Sequence, residues 1–311
     1  MKYVGLQSQI WKNNIKSIVL LILFPVVIFI LAWVFFYFTQ QQPVQRLYYT
    51  NQNFLHFIPW ISIAVFTWFI IAYFSHSAMI RKATGSAPLE RTENKRVYNL
   101  VENLCIGCGM KTPKINVIED DSLNAFASGI NASNYTVSLS RGIINKLNDE
   151  ELEAVIAHEL THIRNRDVRL LIVSIIFVGI FAFATEALMR SVRYGNRGGG
   201  KKDGRMVLIA FLLAAIGYLL SSIFRFALSK KREYLADAGS AEMTKNPLAL
   251  ASALEKISKD PCIEAVNRKD VAQMFIDNPR EKQVNLKGFS LSGVFSTHPP
   301  VEKRIALLRQ F

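Results

Sequence analysis

Apolar positions in this chain gather into four long runs, and polar segments with shorter periodicities separate them. Residues 18–38 form an uncharged run of 21, and residues 57–74 a second of 18. Two more runs follow, at 170–184 and 206–224. The first is long enough to cross a hydrocarbon core of ~30 Å, so a pair of membrane helices is predicted near the N-terminus. The polar segments read as an α+β domain. Residues 95–105 are helical in pattern, and 114–119, 123–128 and 135–139 read as short strands with a turn at 131–134. Asn148 and Glu151 have capping-box spacing, and Leu152, Val155, Ile156, Leu160 and Ile163 follow at helical spacing. Gly and Pro are absent from 148 to 178, which predicts one uninterrupted helix. Residues 247–258 form another helix, a polar stretch runs to Lys287, and a final helix starts at Pro299-Pro300. The expected division is 1–80, 81–167, 168–228 and 229–311: hairpin, first part of the polar domain, second hairpin, second part.

Composition moves this picture towards the bilayer, since half the 311 residues are hydrophobic. Lys2, Lys12 and Lys16 precede the first run as they would in a signal peptide. The run is longer than such a segment, however, and Thr39-Gln40-Gln41-Gln42 offers no small-residue cleavage site, so an uncleaved anchor is expected. Arg46 alone is basic in the first connecting loop, while Arg81, Lys82, Arg91, Lys95 and Arg96 follow the second run. The positive-inside rule then puts the polar domain in the cytoplasm. The second hairpin conflicts with that rule, because its loop holds Arg190, Arg193, Arg197, Lys201, Lys202 and Arg205. Spanning is the favoured reading there, with a shallow entry as the alternative. The formal net charge of +13 fits contact with anionic lipid. No recognition motif accompanies it, so nucleic acid is not an expected partner.

The chemistry concentrates at residues 158–162, His158-Glu159-Leu160-Thr161-His162. Positions i and i+4 of a helix share a face, with Cβ atoms about 6 Å apart. Two imidazoles there suit one Zn²⁺ per chain, and the intervening Glu159 is placed to act as general base on a water. The chain has only five histidines, which makes a chance pairing a poor explanation. A catalytic zinc takes a third protein ligand. Residue 168, where one variant of the motif has its third histidine, is Val168. Glu233 is the best candidate, because Asp237 stands at i+4 beside it and can accept the far N–H of a ligand histidine. Glu242 and Glu186 are the alternatives. With His162 and Leu170 eight residues apart, ~12 Å along a continuous helix, the metal is expected close to the membrane surface.

Four blocks together give the chain a family resemblance. They are Asn124-Ala125-Phe126-Ala127 with Gly129; the pentad followed by Asn165-Arg166-Asp167; residues 233–241; and Ser296-Thr297-His298-Pro299-Pro300 with Arg304-Ile305. In these the chain resembles the HtpX-type membrane-bound zinc metalloproteases, distant relatives of the type I CAAX prenyl proteases. The resemblance implies His158, His162 and Glu233 as zinc ligands and Glu159 as catalytic base. It also implies quality control of damaged membrane proteins at the cell inner membrane. The expected fold class is therefore an α-helical integral membrane protein with an α+β, gluzincin-like metalloprotease domain split by a hydrophobic hairpin. Expected partners are membrane lipids and polypeptide substrates, membrane proteins above all.

Other residues remain open. Asn124, Ala125, Phe126 and Ala127 are the candidate edge strand for an extended substrate, with a plain core strand as the alternative. His298, held before a helix, is a candidate donor to the oxyanion, or else a local structural contact. Arg304 is expected to pair with a carboxylate of the domain. Cys105 and Cys108 form a CxxC, but Cys262 is the only other thiol, so small residues at a helix end are the simpler reading. Two rival functions survive: prenyl-peptide processing, and a non-enzymatic scaffold stabilised by zinc. Glu159 argues against the scaffold, which needs no base.

Overall fold

The structure, a computed structural model, describes residues 6–194, 204–227, 230–259 and 299–311. His298, Cys262, the polar stretch to Lys287 and the Gly198-Gly199-Gly200 loop lie outside the described residues. The chain divides into two compact units. One joins Met1–Asn14, His76–Ile172 and Phe226–Phe311; the other joins Ile15–Ser75 and Val173–Arg225.

The second unit is helical. It takes most of α1 (Leu6–Thr39), α2 (Arg46–Thr84), α6 (Asp167–Tyr194) and α7 (Gly204–Ala227). Trp11–Thr39 and Arg46–Thr84 are long and apolar enough to cross a membrane, and Val207–Leu219 is a shorter apolar helix. Large apolar side chains such as Ile22, Trp60, Phe66 and Phe74 point outward. Contacts within the unit are aromatic: Phe24 meets Phe181 edge to face at 5.3 Å. Trp68 Nε1 donates to the Ile176 carbonyl.

The first unit holds a four-stranded sheet in the order β1-β2-β4-β3. Strand β2 (Lys114–Ile118) runs parallel to β4 (Thr136–Ser140), while β1 (Ser86–Pro88) and β3 (Ala125–Ser128) pair antiparallel at the two edges. The three predicted strands are present within two residues of their expected ends. Strand β1 carries no sequence signal, being three residues long with a proline, which only an edge accommodates. After β3 the chain turns at Gly129, whose φ is +110°. A Cβ there would stand 2.5 Å from the Asn134 carbonyl oxygen, so only glycine fits.

Helix α5 (Asp149–Arg164) is the centre of the unit and packs against β3, α3 (Lys95–Gly107), α8 (Lys230–Thr244) and α9 (Pro247–Ile257). Its capping box forms as the spacing predicts, Asn148 accepting from the Glu151 N–H and Glu151 from the Asn148 N–H. Glu151 also accepts from Ser252 Oγ and Lys256 Nζ, tying α5 to α9. The approach of α8 is close because it presents Gly239 and Ser240. A Cβ on Gly239 would lie 2.4 Å from Thr161 Cγ2, and Ser240 Oγ donates to the Ala154 carbonyl at 2.7 Å.

The uninterrupted helix expected from 148 to 178 does not form. Helix α5 stops at Arg164, Asn165 caps it, Arg166 takes a φ of +59°, and α6 begins at Asp167. A non-glycine residue with positive φ carries no Gly or Pro flag, which is why the break is silent in the sequence. The ~12 Å reckoned along a continuous helix therefore does not hold.

Candidate metal centre

Helix α5 places His158 and His162 on one face, their rings edge to face with centroids 4.8 Å apart. Helix α8 brings Glu233 across to both. Its Oε2 lies 3.7 Å from His158 Nε2 and its Oε1 3.5 Å from His162 Nε2. One ligand atom from each residue falls within 4.8 Å of the other two. Tetrahedral zinc with bonds of 2.0–2.1 Å separates its ligand atoms by ~3.4 Å, so the three side chains fit such an ion. Both ring nitrogens of His158 are buried and without a hydrogen-bond partner among the described residues. The two alternatives for third ligand are engaged elsewhere. Exposed Glu242 pairs with Arg164, and exposed Glu186 with Arg190 one turn on.

Each histidine is backed at its other nitrogen by a carboxylate. His158 Nδ1 is 3.0 Å from Asp237 Oδ1, which favours the tautomer that turns Nε2 to the metal. Asp237 is in turn clamped by Arg304 of α10 (Val301–Leu308), Nε to Oδ2 at 2.9 Å and Nη2 to Oδ1 at 2.7 Å. Arg304 is fully buried and also reaches Glu233 Oε2 at 3.9 Å. His162 Nδ1 stands 3.1 Å from Asp167 Oδ2. The break after α5 makes that contact possible, because a continuing helix would carry residue 167 away from residue 162.

Burial and charge set the protonation of the metal-free site. Burial pushes the Glu159 carboxyl above the usual carboxylate range, although the imidazoles of His158 and His162 and a backbone hydrogen bond from Ala127 pull the other way. Burial also raises Asp237, but the Arg304 guanidinium and His158 outweigh it and hold the carboxyl at about 2. For His158, burial disfavours the charged ring, yet Asp237 and Glu233 lift it to about 9.

The structure brings His158, Glu159, His162, Glu233 and Asp237 together, and sets Ala127 against Glu159. Strand β3 is an edge strand packed on α5, with Asn124 just before it, where Asn124 Oδ1 accepts from the Ala125 N–H. Two site residues escape the sequence reading: Asp167 as the partner of His162, and Asn13, which donates to Asp167 from 154 positions away. Cys105 is buried and Cys108 partly so, and both thiols are free. Burial raises Cys105 to about 11, against a hydrogen bond from Thr112, which leaves it inert as a nucleophile.

A family model described as peptidase family M48 matches residues 91–311. A protease HtpX homolog of Bacteroides fragilis is 59% identical over the full length of both chains. Another, of Dictyoglomus turgidum, is 40% identical over 76% of each. Among solved structures, S. mikatae Ste24p aligns with a TM-score of 0.46 at 19% identity, covering 96% of this chain and 66% of that one.

Proposed function

Because this chain belongs to peptidase family M48, and is thus a metalloprotease and a hydrolase, we propose that it is a membrane-bound zinc endopeptidase acting on membrane-associated or misfolded proteins. The observation that carries the reading is the meeting of His158, His162 and Glu233 beside a buried Glu159. A zinc ion held by those three would polarise a peptide carbonyl and make a water acidic at neutral pH. Glu159 takes the proton from that water. Its raised proton affinity suits it to hold the proton and then pass it to the departing amine. An extended substrate would pair with β3, the last strand of the sheet although buried along its whole length, and backbone hydrogen bonds would then align its carbonyl while asking little of its side chains. Asn124 to Ala127 thus form the substrate edge, and His298 is our candidate donor to the oxyanion. Asp237 and Asp167 hold the histidine tautomers.

The membrane reading rests on α1 and α2 with their outward apolar side chains, and on relatives named as HtpX proteases. Water would oppose that exposure by ~25 cal/mol for each Å² of apolar surface. Charge asymmetry around the first hairpin supports an orientation with the catalytic unit facing the cytoplasm.

The test is cleavage of an unfolded casein-like substrate by the detergent-purified, zinc-loaded chain and by Glu159→Gln. Loss of the base should lower the rate at least ~10²-fold while zinc stays bound. Equal rates in the two proteins would dismiss Glu159 as the base. Bound zinc without cleavage by either would favour an enzyme of narrow specificity, or the scaffold.

A further inference from the structure

Asp167 has two carboxylate oxygens, and only Oδ2 faces His162. The other is held from the far end of the chain. Asn13 Nδ2 donates to Asp167 Oδ1 at 2.7 Å and to the Asn165 carbonyl at 2.9 Å, so one amide grips both sides of the break between α5 and α6. Asn13 is 1% exposed, and water does not compete for these bonds. Its neighbour acts on the residue between. Asn14 Oδ1 accepts from Arg166 Nη1 at 2.9 Å, and Arg166 is the residue with positive φ. The 165–167 turn is therefore held by two consecutive side chains of α1, which belong to the same compact unit.

An amide is well suited to this task. Its NH₂ group donates at any pH, and it adds no charge to the carboxylate it orients. With Oδ1 fixed, Asp167 can only present Oδ2 to His162 Nδ1, and that in turn fixes the ring. We propose that Asn13 is a positioning residue of the metal centre. Through Asp167 it sets how tightly His162 holds the ion.

The proposal rests on His158, His162 and Glu233 being the zinc ligands, and its test separates the two. Zinc affinity of the full-length chain in detergent is measured against a chromophoric chelator, for wild type, Asn13→Leu, Asn13→Asp, Asp167→Asn and Asn13→Leu/Asp167→Asn. Asn13→Leu should bind zinc about ten-fold more weakly, the lower end of what loss of a metal-ligand partner costs. Asn13→Asp keeps the shape but turns an acceptor on Asp167, so its loss at neutral pH should be at least as great. In the Asp167→Asn background the Asn13→Leu loss should shrink to under about two-fold, since the two act in series. The absorption bands of the cobalt-substituted protein should shift in Asn13→Leu as the His162 geometry relaxes. Unchanged zinc affinity in either folded Asn13 variant would overturn the proposal. So would a full additive loss in the double variant, which would make Asn13 a support of the fold alone. Should Asn13→Leu fail to fold, Asn13→Asp decides. Wild type that binds no zinc would overturn this proposal together with the ligand assignment beneath it.

Discussion

His158 and His162 stand one turn apart on the same helix, yet they are backed from opposite ends of the chain. Behind His158, Asp237 is locked by two bonds from the buried Arg304, near the C-terminus. Behind His162, Asp167 is held by the neutral amide of Asn13, near the N-terminus. The first arrangement compensates charge and holds its carboxyl at about 2; the second orients without compensating. The same task is met once by an ion pair and once by a dipole, and the two should fail differently.

The largest effect is expected where charge is stranded. Arg304→Leu leaves Asp237 and Glu233 buried with a cation missing, and should destabilise the metal-free protein by about 3–5 kcal/mol in denaturant unfolding. A loss below 1 kcal/mol would mean that the clamp on Asp237 is weaker than its burial suggests. Next comes Asp167→Asn, which keeps its shape and still meets Asn13. Zinc affinity should fall by about 10–100-fold, with unfolding of the metal-free protein little changed. Equal destabilisation by Asp167→Asn and Arg304→Leu would erase the distinction between the two sides.

A third carboxylate on α5 serves as a reference away from the metal. Burial works to raise the Glu151 carboxyl, but its bonds from Lys256, Ser252 and the Asn148 N–H leave it below the ordinary value of 4.5. A carboxyl depressed by folding stabilises the protein above its unfolded value, and that contribution is lost as the pH falls through the folded value. The advantage of wild type over Glu151→Gln should be on the order of 1 kcal/mol at neutral pH. It should fade as the pH drops below about 4.5. An advantage that grows in acid would mean that Glu151 is bound as the neutral acid.

The pentad, the capping box and the Glu233–Asp237 pair were legible in the sequence because helical spacing of 3.6 residues lets four positions stand for one turn. Strands β2, β3 and β4 were legible as short runs set off by turn residues. What escaped depends on contacts across great separations. Nothing near Asp167 announces that it turns back to His162, since the break that permits this rests on Arg166 in a conformation that arginine seldom adopts. Asn13 lies 152 positions before Asn165, just ahead of an apolar run, and reads there as an ordinary polar flank. Arg304 could be given a carboxylate partner in general terms, while its choice of Asp237 follows only from the docking of α10 beside α8 and α9.

The missing side chain at Gly239 works as a gauge block between the helix that carries His158 and His162 and the one that carries Glu233. Thr161, which a Cβ at 239 would strike, sits directly before His162 on α5 and is itself pinned by its bond to the Ala157 carbonyl. The spacing that lets one carboxylate reach two imidazoles is thus machined by an absence. One added methyl would act as a shim and widen the jaws without touching His158, His162 or Glu233. The tolerance of this site is written in the smallest residue of α8.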